Sequence, residues 1–265
     1  METVDVTSQG SVTTVCLNRP DVRNAFNETL IAELREVFTG IGESVRAVIL
    51  TGAGTVFCAG ADVGWMQRSI NYTEPENARD ADAMARMYRA VDECPCPVIG
   101  RINGSALGGG MGLVGSCDIV IAVDGAHFGY TEVRLGIDPA IISPFSLPKI
   151  GSRFARRYYL TGDRFTAEEA ARIGLVHEVV PPERLDERVR AIVDSILMSG
   201  PAAVRSTKRL IREILTMDRE TAHEKSVSLM ARLRVSPEGQ EGLKAFLEKR
   251  KPRWAPTESS RPSRS

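Results

Sequence analysis

Four glycines within five residues give this chain a run of bare backbone. They are Gly108, Gly109, Gly110 and Gly112, in the apolar stretch at residues 105–114. Inside helices and strands glycine is destabilising by about 0.5–1 kcal/mol relative to alanine, so the run needs a physical reason. The first N–H groups of a helix have no partner in the chain, and glycine lets a ligand approach them closely. One such donor to a developing oxyanion lowers a reaction barrier by about 3–4 kcal/mol, and we interpret the run as a backbone oxyanion site.

Two other interpretations of the glycines stay open. Residues 110–115 fit the dinucleotide-binding pattern G-x-G-x-x-G, but the predicted strand before them ends near Ile102, too early for a βαβ unit. The glycines can also serve close helix packing without any chemistry. A second glycine-rich corner, at residues 51–66, favours the oxyanion site, because its small residues 59–62 also let a ligand approach the backbone.

Strands and helices alternate around these two corners. Five β-branched apolar runs that end in Gly or Pro predict buried strands. They are residues 12–20, 46–54, 97–104, 118–126 and 174–182. Amphipathic patterns predict helices at residues 27–41, 78–92, 167–173 and 185–198, the first with Asn27 as N-cap. The alternation favours an α/β fold for residues 1–198.

The character of the sequence changes after Gly200. Three helical patterns follow one another, so residues 199–256 are predicted to form a helical appendage. The polar end, residues 257–265, is predicted to be disordered.

The composition argues against several classes of function. The 265 residues include 34 basic and 34 acidic side chains, so no charge excess points to nucleic acid or an anionic membrane. Residues 1–10 carry acids and lack the apolar core of a signal peptide. Five cysteines without the spacing of a disulfide framework indicate reduced thiols and a cytoplasmic-type compartment. Cys94 and Cys96 lack C-x-x-C spacing and a nearby histidine, so we expect no metal.

Six segments, in order, resemble the crotonase (enoyl-CoA hydratase/isomerase) family, and together they cover nearly the whole chain. They are residues 17–27, 50–66, 98–122, 128–137, 156–181 and 246–254. Residues 108–114, 131–136 and 139–145 look most similar to a bacterial branch assigned as methylglutaconyl-CoA or isohexenylglutaconyl-CoA hydratases.

The resemblance implies a spiral of ββα turns with a C-terminal helical trimerisation region, assembled as trimers or pairs of trimers. It implies a coenzyme A thioester as substrate, no separate cofactor and no metal, in fatty acid or other lipid metabolism. By position, the Ala61 and Gly109 N–H groups would form the oxyanion hole, with Glu132 as acid/base. The coenzyme A and thioester site would be lined by Arg23, Asn24, Ala25, Ala59, Asp62, Val63 and Gly64. Phe246 and Lys249 would contact the nucleotide end, reaching the ligand of a neighbouring subunit.

One position departs from the family's hydratases, which carry a second glutamate where this chain has Gly112. Hydration needs a base for water and an acid for the α-carbon, and two carboxylates with different pKa values can divide these roles. One carboxylate suits a shuttle that removes a proton at one carbon and returns it at another. Asp138 is a candidate second acid, although its place before Pro139 also suits a turn residue.

The sequence therefore predicts an enoyl-CoA hydratase, with two alternatives. One is a Δ3,Δ2-enoyl-CoA isomerase in which Glu132 is a single proton shuttle. The other is an acyl-CoA-binding paralogue without catalysis. In the glutaconyl-type branch, a distal carboxylate of the substrate could help to polarise the water, which would require Arg or Lys near the acyl pocket.

Overall fold

A six-stranded sheet frames the molecule, which we describe from a computed structural model covering residues 1–256. Its strands, in spatial order, are β1 (Val4–Gln9), β2 (Val12–Leu17), β3 (Ala47–Gly52), β4 (Val98–Ile102), β6 (Ile119–Val123) and β9 (Glu178–Val180). β1 and β2 pair antiparallel, and every later pair is parallel. The middle strands are buried on both faces, which explains their almost continuous apolar sequences.

A second, three-stranded sheet carries part of the glycine-rich segment. It consists of β5 (Ala106–Leu107), β7 (His127–Gly129) and β8 (Arg164–Thr166), in that order. β5 and β7 run parallel, and β7 and β8 antiparallel.

Helices fill the connections between the strands. They are α1 (Glu28–Thr39), α2 (Val63–Ser69), α3 (Glu74–Asp92), α4 (Gly109–Ser116), α5 (Ser143–Thr161, kinked at Gly151), α6 (Ala167–Arg172) and α7 (Leu185–Leu197). The α4 helix is buried along nearly its whole length and lies at the centre of the core, packed between α3 and α5. Asn27 caps α1 as expected, since its side chain accepts the Leu30 N–H at 2.9 Å.

Three further helices follow the core: α8 (Pro201–Ile214), α9 (Arg219–Val235) and α10 (Pro237–Leu247). These helices and the turn after α8 expose many large apolar side chains: Ile211, Leu215, Val227, Met230, Val235, Leu243, Phe246 and Leu247. Lys208 of α8 anchors this region to the core through Asp118 at 2.6 Å and the Cys96 carbonyl at 3.1 Å. The division of the chain near residue 198 stays a prediction, and the expected disorder of 257–265 lies outside the described residues.

The five predicted strands and the predicted helices are present, with ends shifted by a few residues. The sequence analysis missed β1, β5, β7, β8, α2 and α5. β1 is an exposed edge strand without an apolar run, and β5 has two residues, which become a strand only by pairing with β7. Pro148 and Gly151 interrupt the helical pattern of α5. No helix in residues 1–256 is long and apolar enough to cross a membrane.

Candidate active site

The first corner of the site lies where β5 meets α4. Gly108 has φ 50° and ψ −124°, a conformation that strongly favours glycine, and the helix begins at the next residue. Gly109 is therefore the first residue of α4, and its N–H has no hydrogen-bond acceptor within residues 1–256. The sequence prediction of a free N–H at this glycine agrees with this geometry.

The second corner forms where residues 59–62 run beside Phe26. The Phe26 N–H donates to the Gly60 carbonyl at 2.7 Å, and the Asp62 N–H donates to the Phe26 carbonyl at 2.8 Å. Ala61 lies between these two bonds. In extended backbone, successive N–H groups alternate in direction, so the Ala61 N–H points away from Phe26. It has no acceptor within the described part of the chain.

Short-range pairing holds the two corners against each other. The Leu107 N–H donates to the Cys58 carbonyl at 3.0 Å. A Cβ on Gly60 would lie 3.0 Å from the Leu107 carbonyl oxygen and 3.7 Å from Gly108 Cα, and Gly60 itself has φ 95°. Glycine at position 60 therefore lets the backbone of one corner touch the other. Cys58 is fully buried, and burial raises the pKa of its thiol to about 12, so it packs as a neutral group.

Glu132 is an acidic side chain beside the first corner. It begins a short 3₁₀ turn, Glu132–Leu135, and a Cβ on Gly108 would lie 3.7 Å from its Oε1. Its Oε2 is buried and has no hydrogen-bond partner within residues 1–256. Burial raises the pKa of Glu132, its own backbone N–H opposes this rise, and the Asp138 carboxylate adds to it. A carboxyl with a raised pKa exchanges its proton more readily near neutral pH.

The position of the absent second glutamate is filled by other side chains. A Cβ on Gly112 would lie only 2.6 Å from Ile142 Cγ2 and from Cε1 and Cζ of Tyr88. Gly110 and Gly115 are covered in the same way, by the Cys58 carbonyl at 2.6 Å and the Ser146 Oγ at 2.8 Å. The glycines inside α4 thus serve close packing, whereas Gly109 presents a free N–H. The glycines of a dinucleotide-binding loop let a phosphate approach the backbone, whereas Gly110, Gly112 and Gly115 are covered by other parts of the protein, so these residues do not form such a loop.

A cavity of about 440 Å³ opens beside Ala61. It is lined by Asp21, Val22, Arg23, Ala25, Ala59, Ala61, Asp62, Val63 and Gly64, which include most residues predicted to hold coenzyme A. Asn24 is the exception, since it is fully buried behind the cavity. Its side chain accepts the Arg19 N–H at 2.9 Å and donates to the Ala53 and Val56 carbonyls at 2.9 and 2.8 Å. Asn24 therefore shapes the cavity from behind.

Arg19 is a residue of this region that the sequence analysis did not single out. It donates to the Ala25 carbonyl at 2.5 Å and to the Asp62 carboxylate at 3.0 Å. Asp62 also caps α2, accepting the N–H groups of Gly64 at 2.8 Å and Trp65 at 3.2 Å. Burial alone would raise the pKa of Asp62, but these hydrogen bonds outweigh it and hold the pKa below its usual value. Only the location of Arg19 inside the segment 17–27 could have indicated this role.

The remaining predicted site residues lie at the surface. Asp138 is exposed and accepts the Ala140 N–H at 3.1 Å, as a turn residue does. Phe246 is 81% exposed near the end of α10, and Lys249 follows the helix with φ 53°. Neither lines the cavity described above, and a contact with a neighbouring subunit's ligand stays a prediction. Residues 1–256 contain no group of three or more His, Cys, Asp or Glu side chains placed to hold a metal ion.

Two backbone N–H groups beside a buried carboxylate form a site that can stabilise a negatively charged oxygen and transfer a proton next to it. Such an arrangement is typical of enzymes that work through an oxyanion. The family model for enoyl-CoA hydratase/isomerase matches residues 7–257, and the chain belongs to this family. The predicted family and fold class are confirmed.

Similar proteins cover nearly the whole chain. A crotonyl-CoA hydratase of Syntrophomonas wolfei is 36% identical over 255 residues, covering 94% of this chain and 96% of the relative. A solved structure of an enoyl-CoA hydratase from Shewanella pealeana has a TM-score of 0.91 and 36% identity, with 95% of this chain and 96% of that chain covered. The solved structure of Pseudomonas aeruginosa AtuE has a TM-score of 0.93 and 33% identity, covering 96% and 100% of the two chains.

Proposed function

We propose that this chain adds water to the double bond of an α,β-unsaturated acyl-CoA thioester. The thioester oxygen would accept hydrogen bonds from the Ala61 and Gly109 N–H groups. Water attacks the β-carbon and gives its proton to Glu132, and the electron pair of the double bond moves to an enolate oxygen. Glu132 then returns the proton to the α-carbon, so one carboxylate serves as base and then as acid.

The single observation that carries this proposal is the half-buried Glu132 side chain, whose buried Oε2 has no partner within residues 1–256, beside Gly108 at the corner that presents the free Gly109 N–H. General acid–base transfer commonly contributes about 10²–10⁴-fold to a rate. One oxyanion donor contributes about 10²–10³-fold. These two effects suffice for substantial catalysis without a second carboxylate.

The acyl group proposed for this chain is short and uncharged. We place crotonyl-type thioesters first and glutaconyl-type thioesters, which carry a distal carboxylate, second. The name of the Syntrophomonas wolfei relative supports this order.

The assembly proposed for this chain is a homotrimer or a pair of trimers in the cytoplasm. The exposed apolar side chains of α8–α10 support it, because a monomer rarely leaves so many in one region. Coenzyme A would be part of the substrate, with no further cofactor. Light scattering after size-exclusion chromatography measures the mass, and a monomer at enzyme-assay concentration would contradict the trimer.

A Δ3,Δ2-enoyl-CoA isomerase is the second candidate. Gly112 favours it, because a site with one carboxylate can move one proton between two carbons without holding water. A coenzyme A ester-binding protein without turnover is the third outcome that the experiment must distinguish.

The test compares wild-type protein with Glu132→Gln on crotonyl-CoA, 3-methylglutaconyl-CoA and a 3-enoyl-CoA. Loss of the conjugated thioester absorbance reports hydration, and its gain reports isomerisation. We expect crotonyl-CoA to be hydrated and Glu132→Gln to lose about 10²–10⁴-fold in kcat. Asp138→Asn is the matched control, which keeps its activity if Asp138 is only a turn residue. Isomerisation alone, or binding without turnover, would contradict the hydratase.

A further inference from the structure

Tyr88 is a buried polar side chain that the proposed reaction does not yet use. It lies on α3 and has no solvent exposure. Its ring takes the space beside Gly112 where a second glutamate would begin, and any Cβ there would meet the ring at 2.6 Å. Tyr88 is therefore a core residue that borders the first corner.

The Tyr88 hydroxyl contacts the corner directly. It donates to the Gly109 carbonyl at 2.6 Å, a short and well-formed hydrogen bond. Gly109 is the first residue of α4 and has no side chain that could fix its orientation. Burial raises the pKa of Tyr88 well above its usual value, with smaller contributions from Cys58 and Glu132, so the hydroxyl keeps its proton and stays a donor.

The Tyr88 ring also reaches the other corner through Phe26. The two rings meet edge to face, with centroids 6.1 Å apart and planes at 82°. The backbone of Phe26 holds the residues on both sides of Ala61. A Cβ on Gly109 would lie 3.0 Å from the Tyr88 hydroxyl and 3.1 Å from Phe26 Cδ2. Tyr88 thus contacts Gly109 itself and Phe26, whose backbone holds the residues on both sides of Ala61.

We propose that Tyr88 is a positioning residue: its bond to the Gly109 carbonyl restrains the Gly109 backbone and so, across the Cα, the direction of the Gly109 N–H, and through Phe26 it restrains Ala61 in the oxyanion hole. Tyr88 has this role only if the thioester binds as proposed above. An oxyanion donor acts in proportion to its alignment, because it must already point at the charge that develops. Tyr88, which takes the space of the second carboxylate beside Gly112, would therefore help to orient the donors that stabilise the oxyanion.

The experiment measures the polarisation of a bound thioester, which packing alone does not produce. The probe is a para-amino-substituted cinnamoyl-CoA, whose absorbance shifts to the red when its carbonyl is polarised. Four proteins are compared: wild type, Tyr88→Phe, Glu132→Gln and Tyr158→Phe. Tyr158→Phe is the matched control, since this largely buried tyrosine donates to Glu169 outside the site.

Wild type and Glu132→Gln should both show the red shift, and Tyr88→Phe should lose most of it. With crotonyl-CoA, Tyr88→Phe should lose about 10- to 100-fold in kcat at unchanged KM, less than the loss of a whole donor. Phenylalanine keeps the ring beside Gly112, so the variant retains the packing, which thermal melting checks. Tyr158→Phe should behave as wild type in both assays.

Each contrary result identifies what fails. A full red shift in Tyr88→Phe, with or without lower kcat, would overturn the positioning role and leave the proposed function intact. Equal loss in Tyr158→Phe would also overturn it, because loss of stability would then explain the effect. A wild-type protein that binds the probe without a red shift would contradict the proposed oxyanion hole and, with it, the role of Tyr88.

Discussion

Substitution of Gly112 tests whether the absent second carboxylate has a place in this fold. Restoring it by Gly112→Glu should destabilise the protein and should not increase hydration. The structural reason is that a Cβ would lie 2.6 Å from both Tyr88 and Ile142, where ordinary contacts are 3.4–4 Å. Gly112→Ala isolates the contribution of the Cβ itself.

The expected magnitudes follow from competing effects. Alanine is favoured over glycine inside a helix by about 1 kcal/mol, whereas overpacking a core costs about 1–3 kcal/mol. Gly112→Ala should therefore lower the free energy of unfolding by about 0–2 kcal/mol. Glutamate adds a polar group with no partner, at about 1–3 kcal/mol more, so Gly112→Glu should lower it by about 1–5 kcal/mol.

The assay is urea unfolding at fixed protein concentration, together with kcat on crotonyl-CoA. Gly125→Ala is the control, because a Cβ on Gly125 would meet nothing within 4 Å. If Gly112→Glu were as stable as wild type and hydrated crotonyl-CoA faster, Tyr88 and Ile142 would have to move freely. That result would refute the reasoning about this position.

Three more predictions concern the carboxylates and the contact between the corners. Because burial raises the pKa of Glu132, the acid limb of kcat/KM should lie above pH 4.5, and a limb at or below 4.5 in a pH series contradicts the burial effect. The ionised carboxylate is less stable in the folded protein, so Glu132→Gln should gain stability over wild type as pH rises from 4.5 through the folded-state pKa. The gain is about 1.4 kcal/mol for each pH unit between the unfolded and folded pKa values before solvent screening, and melting temperatures across the pH series measure it. Asp62→Ala removes the α2 cap and the partner of Arg19, so we expect the free energy of unfolding to fall by about 0.5–2 kcal/mol. The KM for coenzyme A esters should rise. An unchanged KM would show that this corner does not hold the ligand. Gly60→Ala places a side chain at φ 95° and 3.0 Å from the Leu107 carbonyl. We expect kcat to fall by a larger factor than any loss of folded protein explains. A fall in melting temperature with unchanged kcat would contradict the contact between the corners.

The sequence analysis succeeded where the cause is local. β-branched runs and the Asn27 cap predict strands and a helix from neighbouring residues alone. The glycine run predicts free N–H groups at the first turn of a helix, and the family resemblance assigns this role to Gly109. The sequence alone could not connect Tyr88 with Gly109, because this tyrosine lies 21 residues before Gly109 and meets it only after α3 packs on α4. Arg19 was missed for the same reason, since its partner Asp62 is 43 residues away.

The measurement that tests the central claim most directly is the mass of the product formed from crotonyl-CoA in ¹⁸O-labelled water. We expect that wild-type protein gives a product heavier by one labelled water, and that Glu132→Gln forms almost none. A product of unchanged mass, or equal hydration by the variant, would contradict a hydratase that works through Glu132.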